Sequence, residues 1–147
     1  MGMPGDLQSE MAAAAQGAVQ HAKKYWATEL DYSPQSIEDV ELILARMHDS
    51  IPRGFLGKWL KRRPTDEQMA QVALAYGAYL GEILRREFGG TWSKETAADQ
   101  PDMLALKFSD QNMIFPTGKV WKRLQNGAQE NVNDFYQQIR TRLQKAI

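Results

Sequence analysis

TDEQMAQVALAYGAYLGEILRREFGGTW, residues 65 to 92, decides the fold of this chain. Thr65 stands where a helix N-cap belongs, and Gln68 three residues later completes a capping box. The helical run that follows is closed by Gly89-Gly90, a natural left-handed stop. Inside it lie Gly77 and Gly81, four apart in Tyr76-Gly77-Ala78-Tyr79-Leu80-Gly81-Glu82. Each interior glycine costs about 0.5–1 kcal/mol relative to alanine. Close approach of another element is the expected reason for that pair. Tyr76 and Tyr79 flank the first glycine and straddle the apolar stripe, so one of them is expected at the exposed edge of a groove.

After the glycines the period changes from about 3.6 to 2. Thr91 to Glu95, Met103 to Phe108 and Asn112 to Phe115 read as three strands. Ala97 to Pro101 reads as a polar loop and Ser109-Asp110-Gln111 as a tight turn. Pro116-Thr117-Gly118 ends this sheet. A short helix is expected over Lys119 to Gln125, stopped by Asn126-Gly127. A last helix covers Glu130 to Lys145, with Val132, Phe135, Tyr136, Ile139 and Leu143 on its buried stripe.

Upstream, Met11, Ala14, Ala15, Ala18, Val19, Ala22, Tyr25, Trp26 and Leu30 recur at helical spacing, which predicts a helix over Leu7 to Leu30. Its alanine-rich first half lacks large apolar groups and is expected to be the looser end. Ser33 caps a second helix from Pro34 to Ser50, with Ile37, Val40, Glu41, Leu44 and Met47 as its stripe, widened by Ile43. Phe55 to Leu60 reads either as a loop or as a short helical turn carrying Phe55 and Trp59. The expected architecture is one α+β domain over residues 1–147, with residues 1–10 the looser part. Three main helices pack on a small three-stranded antiparallel sheet, followed by a short and a long C-terminal helix.

Composition narrows the function classes. The 147 residues carry 18 basic and 18 acidic side chains, a formal net charge of zero, so no global field steers a polyanion or a membrane surface. Without cysteine there is no disulfide, thiolate nucleophile or cysteine metal site. That composition fits a cytoplasmic protein, with the periplasm the alternative had a signal peptide been removed. As it stands, Met1-Gly2-Met3-Pro4-Gly5-Asp6 is no secretory signal, and no run reaches the ~20 apolar residues of a membrane span.

Motifs that carry chemistry are sparse. His21 and His48 sit alone in helices, without the carboxylate or second histidine of a metal site. There is no GxSxG elbow and no phosphate-cradling glycine loop, since Gly77 and Gly81 lie within a helix. No catalytic, cofactor or metal set emerges. Glu82 is the acid worth following. Its bland reading is a solvated pair with Arg85 or Arg86 at i+3 and i+4. Its sharper reading is a buried carboxylate held by a cation from another element, with Lys119 and Arg123 the candidates. The stretch Arg53 to Arg63, RGFLGKWLKRR, carries five cations and no acid, with Phe55 and Trp59 interleaved. Arg62 and Arg63 there suit a partner patch or a phosphate backbone, although the acid-rich stretch Glu29 to Asp49 is positioned to neutralise it. Trp26, Trp59, Trp92 and Trp121 read as core and rim residues rather than as a ligand box.

Four pieces of the chain resemble a family of uncharacterised bacterial domains of unknown function. They are Leu30-Asp31-Tyr32-Ser33 with Ser36-Ile37, then Tyr76 to Glu82 with Arg86, Gly89-Gly90 and Trp92, then Lys122-Arg123 with Gly127, and Phe135-Tyr136. The resemblance implies a small bacterial α+β domain and brings no activity, cofactor or substrate. The functional expectation is a non-enzymatic binding protein whose partner is another protein, an immunity-type inhibitor being one concrete form by analogy. Its contact surface would lie around Tyr79, Phe55 and Trp59. The alternatives are a small-ligand protein or hydrolase using Glu82 with Arg86, Lys119 or Arg123, and weak nucleic-acid binding through Arg53 to Arg63.

Overall fold

The computed structural model describes residues 6–50, 65–97 and 100–145, without the side chains of 96–97 and 100–102. The first helix, α1, spans Leu7–Trp26, capped by Asp6, whose carboxylate accepts the Gln8 N–H at 3.0 Å. It stops four residues short of the expected Leu30. Ala27 turns left-handed (φ 49°), and the Thr28 hydroxyl donates to the Trp26 carbonyl, taking an oxygen the helix would need to continue. Leu30 then swings back into the core. Helix α2 spans Ser36–Ser50 and begins two residues later than expected, after a turn in which Ser33 Oγ accepts the Ser36 N–H.

Helix α3, Asp66–Phe88, is the axis of the fold. The capping box forms as its sequence requires: Thr65 Oγ1 accepts the Gln68 N–H at 3.0 Å, and Gln68 Oε1 accepts the Thr65 N–H at 2.9 Å. Gly89 and Gly90 close it with φ of 81° and 112°. Strands β1 (Thr91–Ala97), β2 (Gln100–Ser109) and β3 (Asn112–Ile114) make an antiparallel sheet of order β1-β2-β3. The hairpin is longer than expected, because Ala97 pairs with Gln100 across a register shift. Much of the segment expected as an Ala97–Pro101 loop is therefore strand. Trp92, Leu106 and Ile114 lie in register on one face, all buried against the helices.

Pro116 opens helix α4 (Pro116–Asn126) at its first turn, where its missing N–H leaves nothing unsatisfied. The helix thus begins three residues before Lys119, the expected start. A 3₁₀ turn over Ala128–Glu130 leads to α5, Val132–Lys145, where Asn131 Oδ1 accepts the Asp134 N–H. Among the described residues, helices α1 and α4 both pack closely on α3, and α2 packs on α4 and α5.

Two expectations about burial are overturned by this packing. The alanine-rich half of α1 is not its loose end. Met11, Ala15, Ala18 and Ala22 are buried against the core, and the Gln8 amide bonds both the N–H and the carbonyl of Trp92 at 2.9 Å. Small side chains serve there as the means of close contact. Nor is either tyrosine exposed: Tyr76 and Tyr79 are both fully buried. From Tyr76 to Leu84 every residue of α3 is buried, so this segment has neighbours all round and no exposed edge to place a tyrosine on. Phe55 to Leu60, and with it the expected turn, lies outside the described residues.

Candidate functional site

The glycine pair positions the group with most chemical potential. A Cβ at Gly77 would lie 2.4 Å from the Thr117 Cα, so the backbones of α3 and α4 touch there. A Cβ at Gly81 would meet the Trp92 ring at 2.2 Å. That indole therefore lies flush on α3 and aims its N–H at Glu82. The Glu82 carboxylate accepts Trp92 Nε1–H at 2.9 Å, Arg85 Nε–H at 2.7 Å and Arg85 Nη2–H at 3.0 Å. It is 2 % exposed. Burial pushes its carboxyl pKa up, but the bonds from Arg85 and Trp92 outweigh burial and hold it below the usual value. Glu82 is thus an ionised acceptor at neutral pH, with three donors already on it. Glu82 itself lines a cleft of about 380 Å³, together with Gln8, Ser9, Arg85 and Thr91.

The buried carboxylate agrees with the sharper expectation, but its cation comes from its own helix. The other residues singled out in the sequence go elsewhere. Arg86 lies 3.8 Å over the Tyr32 ring, which in turn packs on Tyr79. The Tyr79 hydroxyl accepts the Tyr32 N–H at 2.8 Å and shares a 2.6 Å bond with Ser36 Oγ. Lys119 is bound to Glu130 at 2.7 Å and lies over the Phe135 ring. Arg123 is buried and clasps Glu41 with Nε and Nη2 at 2.8–3.0 Å, while Glu41 also accepts the Val132 N–H. Lys119 and Arg123 do not converge on Glu82, while Arg86, lying over Tyr32, helps to hold it ionised through its charge. Phe55, Trp59, Arg62 and Arg63 lie outside the described residues.

Other polar pairs escaped the sequence reading. His21 Nδ1 is 2.7 Å from the Tyr76 hydroxyl, and burial lowers the His21 pKa and raises that of Tyr76. His48 Nδ1 bonds the Leu124 carbonyl at 2.6 Å. The Tyr136 hydroxyl donates to Glu87. Glu41 was visible only as an acid on the stripe of the second helix, with nothing to name its partner. Its partner lies 82 positions away, a separation that helical spacing cannot see.

Two clefts are lined mainly by apolar groups. One, of about 310 Å³, lies between the ends of α1, α2 and α3, with Tyr25, Trp26, Met47, Met69 and Val72 in its wall. The other, also about 310 Å³, lies between the sheet and helices α4 and α5. Its wall holds Met103, Met113, Phe115, Phe135 and Ile139, and its rim holds Lys119, Lys122 and Arg142. Among the described residues no cluster of three or more His, Asp or Glu could hold a metal ion. No described helix is long and apolar enough to cross a membrane.

A family model described as a domain of unknown function, DUF3806, matches residues 56–136, more than half of the chain. The chain belongs to the DUF3806 family. The match takes in α3, the sheet and α4, the elements that hold the Glu82–Arg85–Trp92 cluster and bring Gly77 against Thr117. It leaves α1 and α2 outside, and so the Glu41 that pairs with Arg123. Neither the curated proteins nor the solved structures contain a match to this DUF3806 chain.

Proposed function

We propose that this DUF3806 protein is a non-enzymatic bacterial binding protein whose partner is another protein, an immunity-type inhibitor being one concrete form. The observation that carries the reading is the engagement of Glu82 by three donors of its own chain. A general acid or base needs a proton to exchange and a lone pair or hydrogen facing substrate. Glu82 instead receives three donors in a buried setting and is held ionised. Arg123, Lys119 and Tyr136 are likewise engaged with Glu41, Glu130 and Glu87. The clefts that remain are lined by methionine and aromatic side chains, which suit the apolar anchor of a protein partner. The cytoplasm is the proposed compartment, the periplasm the alternative.

One observation favours a second reading, a small-ligand protein or hydrolase: the cleft beside Glu82 and Arg85. A panel of ester, peptide, phosphoester and glycoside substrates separates the two. The binding reading expects no turnover that depends on Glu82, and one stoichiometric protein partner retained through purification from the source cell. Turnover by the wild-type chain that is lost in Glu82→Gln, assayed where circular dichroism shows that variant still folded, overturns it. Nucleic-acid binding through Arg53 to Arg63 is kept as a third reading, tested by titration with single-stranded DNA near physiological salt.

A further inference from the structure

We infer that the cleft between the sheet and helices α4 and α5 is the partner-binding site, and that it takes an acidic segment of another protein anchored by one large apolar side chain. This rests on the binding reading above and gives it a place and a chemistry.

The argument begins with what lines the cleft. Met113 on β3, Phe115 at the start of α4 and Phe135 on α5 are each only half-buried, although each faces a common hollow of about 310 Å³. Apolar groups left half-wet around one concavity form a pocket that gains from being filled. Methionine adapts its shape to an incoming group at little cost. The size admits a single side chain and its immediate backbone, not a helix.

The rim sets the sign of the occupant. Lys119, Lys122 and Arg142 line it, coming from two helices. Among the described residues, neither Lys122 nor Arg142 is in an ion pair, and both are exposed. Among the described residues, the acid Glu130 is fixed on Lys119 at 2.7 Å while also feeling Lys122. Lys119 in turn lies over the Phe135 ring at 5.5 Å, so its position is held from two sides. The cleft therefore presents a local positive excess on a chain whose formal net charge is zero. Complementary charge at a rim steers encounter and selects partners, while the apolar floor supplies the affinity.

Three cations around a pocket for one side chain fit an acidic peptide segment better than the other polyanions. Nucleic acid needs a continuous basic stripe that follows its backbone. An anionic membrane is read by clusters of about 4–8 cations on a broad face.

The test uses the full chain and a fluorescein-labelled heptapeptide, Glu-Glu-Leu-Phe-Glu-Asp-Glu, followed by anisotropy. Two control peptides replace its acids with glutamine or with lysine. The expected result is saturable binding of the acidic peptide alone, weakening as salt screens the exposed rim over about 8–10 Å. The double variant Lys122→Glu/Arg142→Glu is expected to lose at least about tenfold in Kd. Met113→Gln, which leaves the charges in place, is expected to lose about fivefold. Both substitutions fall on exposed or half-buried positions, and unchanged unfolding midpoints check that the fold persists.

Any of four results overturns the assignment: no peptide binding, equal binding of the glutamine peptide, indifference to both variants, or binding of phosphatidylserine vesicles in place of the peptide. A concentration-dependent dimer abolished by Lys122→Glu/Arg142→Glu also overturns it, by giving the cleft to a second copy. The binding reading fails separately. If the double variant still retains the cellular partner, the cleft is wrong and the reading stands. If Glu82-dependent turnover appears, the reading is wrong whatever the peptide does.

Discussion

The middle of α3 and the α4–α5 cleft are built on opposite principles. Between Tyr76 and Leu84 every residue is buried and the polar side chains have partners, down to the Tyr76 and Tyr79 hydroxyls. Around the cleft, Met113, Phe115 and Phe135 are half-exposed and Lys122 and Arg142 stand without ion pairs among the described residues. The first region has its polar side chains engaged within the chain. The second leaves apolar area and charge unspent. The most conspicuous acid of the sequence is consumed in holding α3 to the sheet.

The comparison breaks most visibly where polar pairs are buried. Arg123→Ala should cost about 3–5 kcal/mol in urea unfolding, because it strands Glu41 beneath α4 and α5. A cost below 1 kcal/mol would show that the Arg123–Glu41 clasp is not part of the pinned region. Gly77→Ala should cost about 2–3 kcal/mol, since the new methyl meets the Thr117 backbone, which cannot step aside as a flexible side chain would. That exceeds the gain of about 1 kcal/mol in helix propensity. Gly17→Ala on α1 is the matched control. A Cβ there meets nothing within 4 Å, so only the propensity gain of about 0.5–1 kcal/mol should appear. Stabilisation by both changes would dismiss the close approach of α3 and α4.

Glu82→Gln should cost about 1–2 kcal/mol, keeping an acceptor for the Trp92 N–H but losing the charge opposite Arg85. Its acid limb sharpens the point. The folded Glu82 carboxyl lies below its ordinary value of 4.5, so its contribution is complete above that pH and fades as pH falls through the lower folded value. His21, held below its ordinary 6.5 by burial, contributes fully above pH 6.5 and less in acid, because the unfolded chain takes up the proton first. A urea midpoint followed from pH 8 to pH 3 should therefore decline in two stages, the first missing in His21→Gln and the second reduced in Glu82→Gln. A flat profile in the wild-type chain would remove both assignments. The smallest effect belongs to the cleft. Lys122→Gln should move stability by no more than about 0.5 kcal/mol, since the side chain is exposed and in no ion pair among the described residues. A larger loss would mean that the rim helps hold the fold together.

Local spacing made most elements legible. The Thr65–Gln68 capping box, the Gly89-Gly90 stop and the change of period after Gly90 are set within a few residues, and each appears where expected. Boundaries went astray where a competing local bond won: Thr28 on the Trp26 carbonyl at the end of α1, and Pro116 opening a helix rather than only closing a sheet. The site was half legible. Glu82 and its crowded helix face were visible from Gly77 and Gly81, but the expected partners Lys119 and Arg123 belong to Glu130 and Glu41.

By itself, then, the sequence determined the elements and the existence of a tight contact at the glycine pair, because backbone propensity and periodicity act over a few residues. Only the tertiary structure decided which cation meets which acid, that both tyrosines are buried, and where apolar surface and charge are left over. Those outcomes depend on pairings across up to 91 positions of chain, such as Glu41 with Val132, and no local pattern encodes such a distance.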